Sequence, residues 1–184
     1  MKIIFFDNKR ELINTYKSEL GNFDCSYICG DITDIINDIK ADAIISPANS
    51  FANMKGGIDL IYKKIFPKIE ERLTHKISLG NFPIASYGCF IEKKNGKKYV
   101  EVGNCIHIET LNEKCKYMIM LPTMKYPMNI VNTDNVYISF LSFLKKYGNV
   151  NIKVLCPGLG TGIGGMSALE SAKQIKRAFI EYYG

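Results

Sequence analysis

Short apolar runs rich in Ile, Val, Phe and Tyr alternate along the chain with longer stretches in which apolar residues recur every three or four positions. The first pattern suits strands and the second amphipathic helices, and their alternation predicts an α/β layer fold. KIIFF reads as a strand, and NKRELINTYKSEL as a helix opened by Asp7 or Asn8 and closed by Gly21. CSYICGDI is a strand running into a turn, and ADAIISPA is a continuous apolar run of the kind that fills a sheet interior. IDLIYKKIFPKIEERL places Ile58, Ile61, Ile65 and Ile69 on one face, which predicts a helix kinked at Pro67. Between residues 79 and 101, IASYGCFIE and KKYVEV flank KKNGKK, whose Asn95-Gly96 pair signals a hairpin turn. NCIHIET and KYMIMLPT read as further strands, TDNVYISFLSFLKKYG as a helix and NIKVLCPG as the last strand. Ser167 and Glu170 form an S-x-x-E capping box that opens a final helix.

Length and composition narrow the class. A chain of 184 residues, 47% hydrophobic and 23% charged, is expected to form one globular domain spanning residues 1–184, with the hairpin as an insertion. No apolar run approaches the ~20 residues of a membrane span, so a soluble, unsecreted, cytoplasmic monomer is expected. The six cysteines are scattered, several of them inside apolar segments, and read as reduced core residues. With His75 and His107 as the only histidines and no paired cysteine spacing, no metal ligand set emerges, and no cofactor is expected. The formal charge of +6 favours anionic ligands, but the lysines are dispersed and nucleic acid is not an expected partner.

Two glycine-bearing loops each follow a buried apolar strand and precede a helix: PANSFANMKGGID and PGLGTGIGGMS. Glycines let backbone amides approach a phosphate, and a helix N-terminus adds a favourable field for an anion. Gly160, Gly162 and Gly165 also fit G-x-G-x-x-G, the spacing of a dinucleotide-binding turn. That reading requires a further strand with an acidic residue about 20 positions on, whereas only one helix fits before Gly184, which disfavours an NAD-linked oxidoreductase. A third element, GDIT at residues 30–33, also follows a strand.

The three segments GDIT, DAIISPANSFANMKGGID and PGLGTGIGG, in this order, resemble the macro domain, an ADP-ribose-binding module, over roughly Cys29 to Phe179. The resemblance implies a three-layer α/β/α fold with a mixed central sheet and a cleft for ADP-ribose. It implies that Asp31 accepts from the adenine amino group, with the backbone of Ile32 beside it. Asn49 would contact the distal ribose, and Gly56 and Gly57 would lie against the pyrophosphate and that ribose. Asp59 falls on the acid that hydrolytic members use near the scissile bond. Gly160, Thr161, Gly162, Ile163 and Gly164 would wrap the diphosphate from the other side. The implied activity is hydrolysis of an ADP-ribosyl linkage with Asn49 and Asp59 as catalytic residues, on ADP-ribose esters or ADP-ribosylated protein. A non-catalytic ADP-ribose reader and an ADP-ribose-1''-phosphate phosphatase are the alternatives.

The chain departs from the family pattern at several positions. Ser46 and Pro47 replace the first Asn and Ala of N-A-A-N, Met54 and Lys55 precede Gly56, and Gly164 stands where many members carry an aromatic residue. Local roles also compete with binding roles. Asp31 suits a turn or helix cap, Asn49 a turn, and Asp59 the first turn of any helix. Lys55 suits an exposed loop, His107 a hydrogen-bonded strand position, Cys156 the core, and Phe51, Tyr182 and Tyr183 ordinary packing.

Overall fold

The computed structural model describes residues 1–80, the backbone of residues 89–91, and residues 96–184. In chain order the elements are β1 (Lys2–Asp7), α1 (Arg10–Leu20), β2 (Cys25–Cys29), α2 (Ile32–Asp38), β3 (Ala41–Ser46), α3 (Gly57–Ile65) and α4 (Ile69–Leu79). They continue with β4 (Cys89–Ile91), β5 (Lys98–Val100), β6 (Ile106–Asn112), β7 (Cys115–Met120), α5 (Asn135–Tyr147), β8 (Lys153–Pro157) and α6 (Ala168–Tyr183).

Six strands form one sheet in the order β2-β1-β8-β3-β7-β6. Neighbours are parallel except β6, which runs antiparallel to β7, so the sheet is mixed. Its central strands are apolar on both faces because both faces are covered. On β1, Ile3 and Phe5 enter a core shared with Leu12 and Tyr16 of α1, Phe140 of α5 and Phe179 of α6. Ile4 and Phe6 enter the opposite core, with Ile35 of α2, Tyr62 of α3 and Leu73 of α4. The result is a three-layer α/β/α fold. Phe5 packs among Tyr16, Tyr27 and Phe140, and burying such a ring stabilises the fold by roughly 1.5–3 kcal/mol.

The helix expected to run through Pro67 with a kink is instead two helices. Phe66, the residue before proline, is extended at φ −108° and ψ 117°, and Lys68 is left-handed at φ 51°. Proline disfavours the helical conformation in its predecessor and offers no amide to the preceding turn, which breaks the ladder here. Ile69 nonetheless stays in the same core that Ile58, Ile61 and Ile65 border.

Helix α1 begins one or two residues later than its predicted caps, with Lys9 at its N-cap. Asp7 ends β1 and accepts the Lys9 amide on its side chain at 2.9 Å. The capping box of α6 is half made: Ser167 accepts the Glu170 amide at 3.1 Å, while the Glu170 carboxylate accepts from Gln174 instead. β4 and β5 pair antiparallel as a separate two-stranded sheet, and α4 extends through Leu79, where the hairpin was expected to begin. The predicted turn residue Asn95 lies outside the described residues. Among the described residues, no helix is long and apolar enough to cross a membrane.

Candidate ligand-binding cleft

The carboxyl ends of β1, β2, β3 and β8 open into one cleft of about 470 Å³, bordered also by the segment that follows β7. In an open α/β sheet this is where helix-preceding loops converge.

The first loop leaves β3 at Pro47. Asn49 is 8% exposed and braces the loop from within: its Nδ2 donates to the Asn53 carbonyl at 2.9 Å, and its Oδ1 accepts from the amides of Phe51 at 3.1 Å and Asn53 at 3.3 Å. Glu70, on the first turn of α4, accepts the Met54 amide at 2.8 Å and pairs with Lys63. The break at Pro67 thus sets the helix whose carboxylate pins this loop. Gly57 adopts φ 58°, a conformation open to glycine at little cost, and α3 starts there. Asp59 sits in its first turn, 6% exposed, with the Ser46 hydroxyl donating to its Oδ1 at 2.6 Å. Burial pushes the Asp59 carboxyl up to about 6, against the lowering effect of the Ser46 bond and with a smaller upward push from the charge of Glu70.

The second loop follows β8. Gly160 has φ 71°, and its carbonyl accepts the Met166 amide at 3.0 Å, while Gly165 donates to the Gly162 carbonyl at 3.0 Å. Among the described residues, the amides of Thr161, Gly162, Ile163 and Gly164 donate to no protein acceptor. A Cβ on Gly56 would lie 3.5 Å from Cδ1 of Ile163, so the two loops meet across the cleft. A Cβ on Gly164 would come within 2.5 Å of the Gly160 carbonyl oxygen and 2.8 Å of Ile130. A side chain at this position has no room without a shift of the loop backbone.

Asp31 caps α2, its Oδ1 accepting from the Thr33 amide at 2.8 Å and the Thr33 hydroxyl at 2.7 Å. Those bonds, the amide's first, hold its carboxyl below the usual value. Asp31 and Ile32 line the cleft together with Asn49, Gly56, Gly57, Asp59, Gly160, Thr161, Gly162, Ile163 and Gly164, and Lys55 also borders it. Among the described residues, no group of three or more His, Cys, Asp or Glu is placed to hold a metal ion.

No protein-family model matches the chain. It is 26% identical over 147 residues to an Aquifex aeolicus protein and 25% identical over 150 residues to one from Aeropyrum pernix, both carried under the name "Uncharacterized protein". These alignments cover 79% and 81% of this chain, and 74% and 67% of the relatives. Among solved structures it is similar to the macrodomain of Mycobacterium tuberculosis DarG, with TM-score 0.62 and 20% identity over 84% of this chain and 89% of that one. A mutant Oceanobacillus iheyensis macrodomain with ADPR superposes with TM-score 0.57 and 15% identity, covering 77% and 70% of the two chains. Thermosipho africanus DarTG in complex with ADP-ribose gives 0.58 and 13%, covering 96% of this chain and 50% of that one.

The chain has the macrodomain fold.

Several cleft residues carry no motif in the sequence. Phe6, Asp7, Asn8 and Lys9 reach the cleft because β1 lies beside β8, and Thr123, Met124 and Pro127 because β7 lies beside β3. The available signal was positional, since the end of any central parallel strand opens on the same crevice. Ser46, which stands in place of the usual Asn, is the hydrogen-bond partner of Asp59. The remaining candidates sit in ordinary roles. His107 is exposed on β6 and hydrogen-bonds Tyr147, Phe51 stacks on Tyr126, Cys156 is buried, and Tyr182 donates to Asn149.

Proposed function

We propose that the cleft of this macrodomain binds ADP-ribose and that the protein hydrolyses an ADP-ribosyl linkage. The observation that carries the proposal is the meeting of two glycine loops at one cleft, with unpartnered amides on the second and the N-terminus of α3 on the first. Such amides and such a helix end suit a diphosphate. The ADPR and ADP-ribose held by two of the structural neighbours support the same ligand.

Asp59 supplies the chemistry. A carboxylate lifted by burial to about 6 is mostly ionised at neutral pH, yet more basic than an ordinary aspartate, and can take a proton from water as that water adds to the carbon of the scissile linkage. The leaving group departs with the bonding electrons and recovers the proton. Ser46 holds one oxygen of Asp59 and so fixes the direction of the other. Asn49 acts by shaping the loop beneath the distal ribose, since the loop itself uses its amide. A reader that binds without turnover is the second reading, favoured by the 6% exposure of Asp59.

Calorimetric titration with ADP-ribose tests binding, and product release from ADP-ribosylated protein and from ADP-ribose-1''-phosphate tests turnover. For a hydrolase, Asp59→Ala keeps affinity within about tenfold while turnover falls at least about a hundredfold. Release as fast as wild type would remove Asp59 from catalysis, and no release by wild type from any linkage would leave the reader.

A further inference from the structure

A closed ring of three hydrogen bonds lies behind the second loop. The Leu159 amide donates to the Tyr16 hydroxyl at 3.2 Å, the Tyr16 hydroxyl lies 2.5 Å from Ser171 Oγ, and Ser171 Oγ donates to the Leu159 carbonyl at 2.6 Å. All three residues are fully buried, and they come from α1, α6 and the start of the loop. The proton direction is unique. Ser171 spends its hydrogen on a carbonyl, which can only accept, and Tyr16 receives from an amide, which can only donate, so Tyr16 must donate to Ser171.

The ring grips the residue immediately before Gly160. Gly160 is left-handed at φ 71°, and the unpartnered amides of the loop begin at the next residue, Thr161. The same root lies close against α1 and the end of β1, because a Cβ on Gly158 would lie 2.8 Å from Leu12 and 3.1 Å from Asp7. A loop rich in glycine is intrinsically mobile, and amides that are to bind an anion gain from being held in place beforehand.

We infer that Tyr16 and Ser171 are positioning residues for the ligand, holding Leu159 so that the Thr161–Gly164 amides are set for an anion before it arrives. The inference rests on the ADP-ribose reading of the cleft for its ligand and on the ring alone for its mechanics. Burial also raises the Tyr16 phenol well above its ordinary value, so the donor persists across the working pH range.

The test compares Tyr16→Phe, Ser171→Ala and the double variant with wild type. The readouts are calorimetry with ADP-ribose, hydrogen exchange of the 159–166 segment without ligand, and thermal melting. Each single variant should weaken binding roughly tenfold and speed exchange of the segment, as expected when a buried hydrogen bond is lost and its partner is left unpaired. The double variant should bind within about twofold of the weaker single, because opening one bond already opens the ring. Folded variants with wild-type affinity or unchanged exchange would overturn the inference. So would variants that fail to fold, since the ring would then serve the core rather than the loop. If wild type binds no ADP-ribose, the function proposal fails by itself and the exchange comparison still decides the mechanics.

Discussion

The hydroxyl of Ser46 lies 2.6 Å from Oδ1 of Asp59, joining the last residue of β3 to the first turn of α3 beneath the cleft. The pair makes a buried carboxylate tolerable, since an isolated buried charge is costly and a single charge-assisted hydrogen bond offsets part of that cost.

Stability should therefore carry an Asp59 signature. Its folded value of about 6 exceeds the ordinary 3.8, so between these pH values the folded chain binds more protons than the unfolded one. The contribution is fully present below about pH 4 and is lost as pH rises through about 6, by roughly 3 kcal/mol at most. Denaturant melts of wild type and Asp59→Asn across this range isolate the slope, which the variant should lack.

Turnover should rise with pH and level off above about pH 6, as a general base with the raised value of Asp59 requires. Ser46→Ala removes the bond that lowers that value, so the rise should move to higher pH. A pH–rate profile that is flat, or that is identical in the two proteins, would speak against Asp59 as the base.

The glycines of the second loop should separate packing from binding. Gly160→Ala meets Val136 at 2.8 Å and a left-handed backbone, and should destabilise the fold by about 1–3 kcal/mol. A Cβ on Gly162 meets nothing within 4 Å while the residue lines the cleft, so Gly162→Val should melt like wild type yet lose ADP-ribose binding. Normal binding by folded Gly162→Val would place the ligand elsewhere.

Asn49→Ala should lower both stability and affinity, because three hydrogen bonds inside the first loop depend on that side chain. The expected loss of stability is about 1–3 kcal/mol, measured by denaturation beside calorimetry.

The cap that Asp31 makes and the ligand contact proposed for it can be tested separately. Asp31→Ala removes the cap of α2, at about 1 kcal/mol. If Asp31 also accepts from the adenine amine, as the resemblance implies, wild type should prefer ADP-ribose to IDP-ribose, which lacks that amine, and the variant should not. Equal wild-type affinity for the two ligands would leave Asp31 as a cap alone.

Much of the architecture was legible in local pattern. Strand-like apolar runs, helical periodicity and the glycine loops at strand ends located the elements and the residues that border the cleft, because backbone preference and amphipathicity act within a few positions. Pro67 was visible too, but its effect was understated. The conformational restriction on Phe66 divides the helix and thereby brings Glu70 to Met54.

What the tertiary structure decided is who stands opposite whom. Periodicity marks a face as apolar without naming its partner, and the strand order β2-β1-β8-β3 joins segments from both ends of the chain. Only that order carries Asp7 and Lys9 to the cleft and packs Ile130 where a side chain at Gly164 would go. It also sets Tyr16 against Leu159 across 143 residues of sequence. The buried hydroxyls of Ser46, Tyr16 and Ser171 have no sequence signature, since a polar residue in an apolar run is satisfied by a partner that register and crossover choose, and not by its neighbours in the chain.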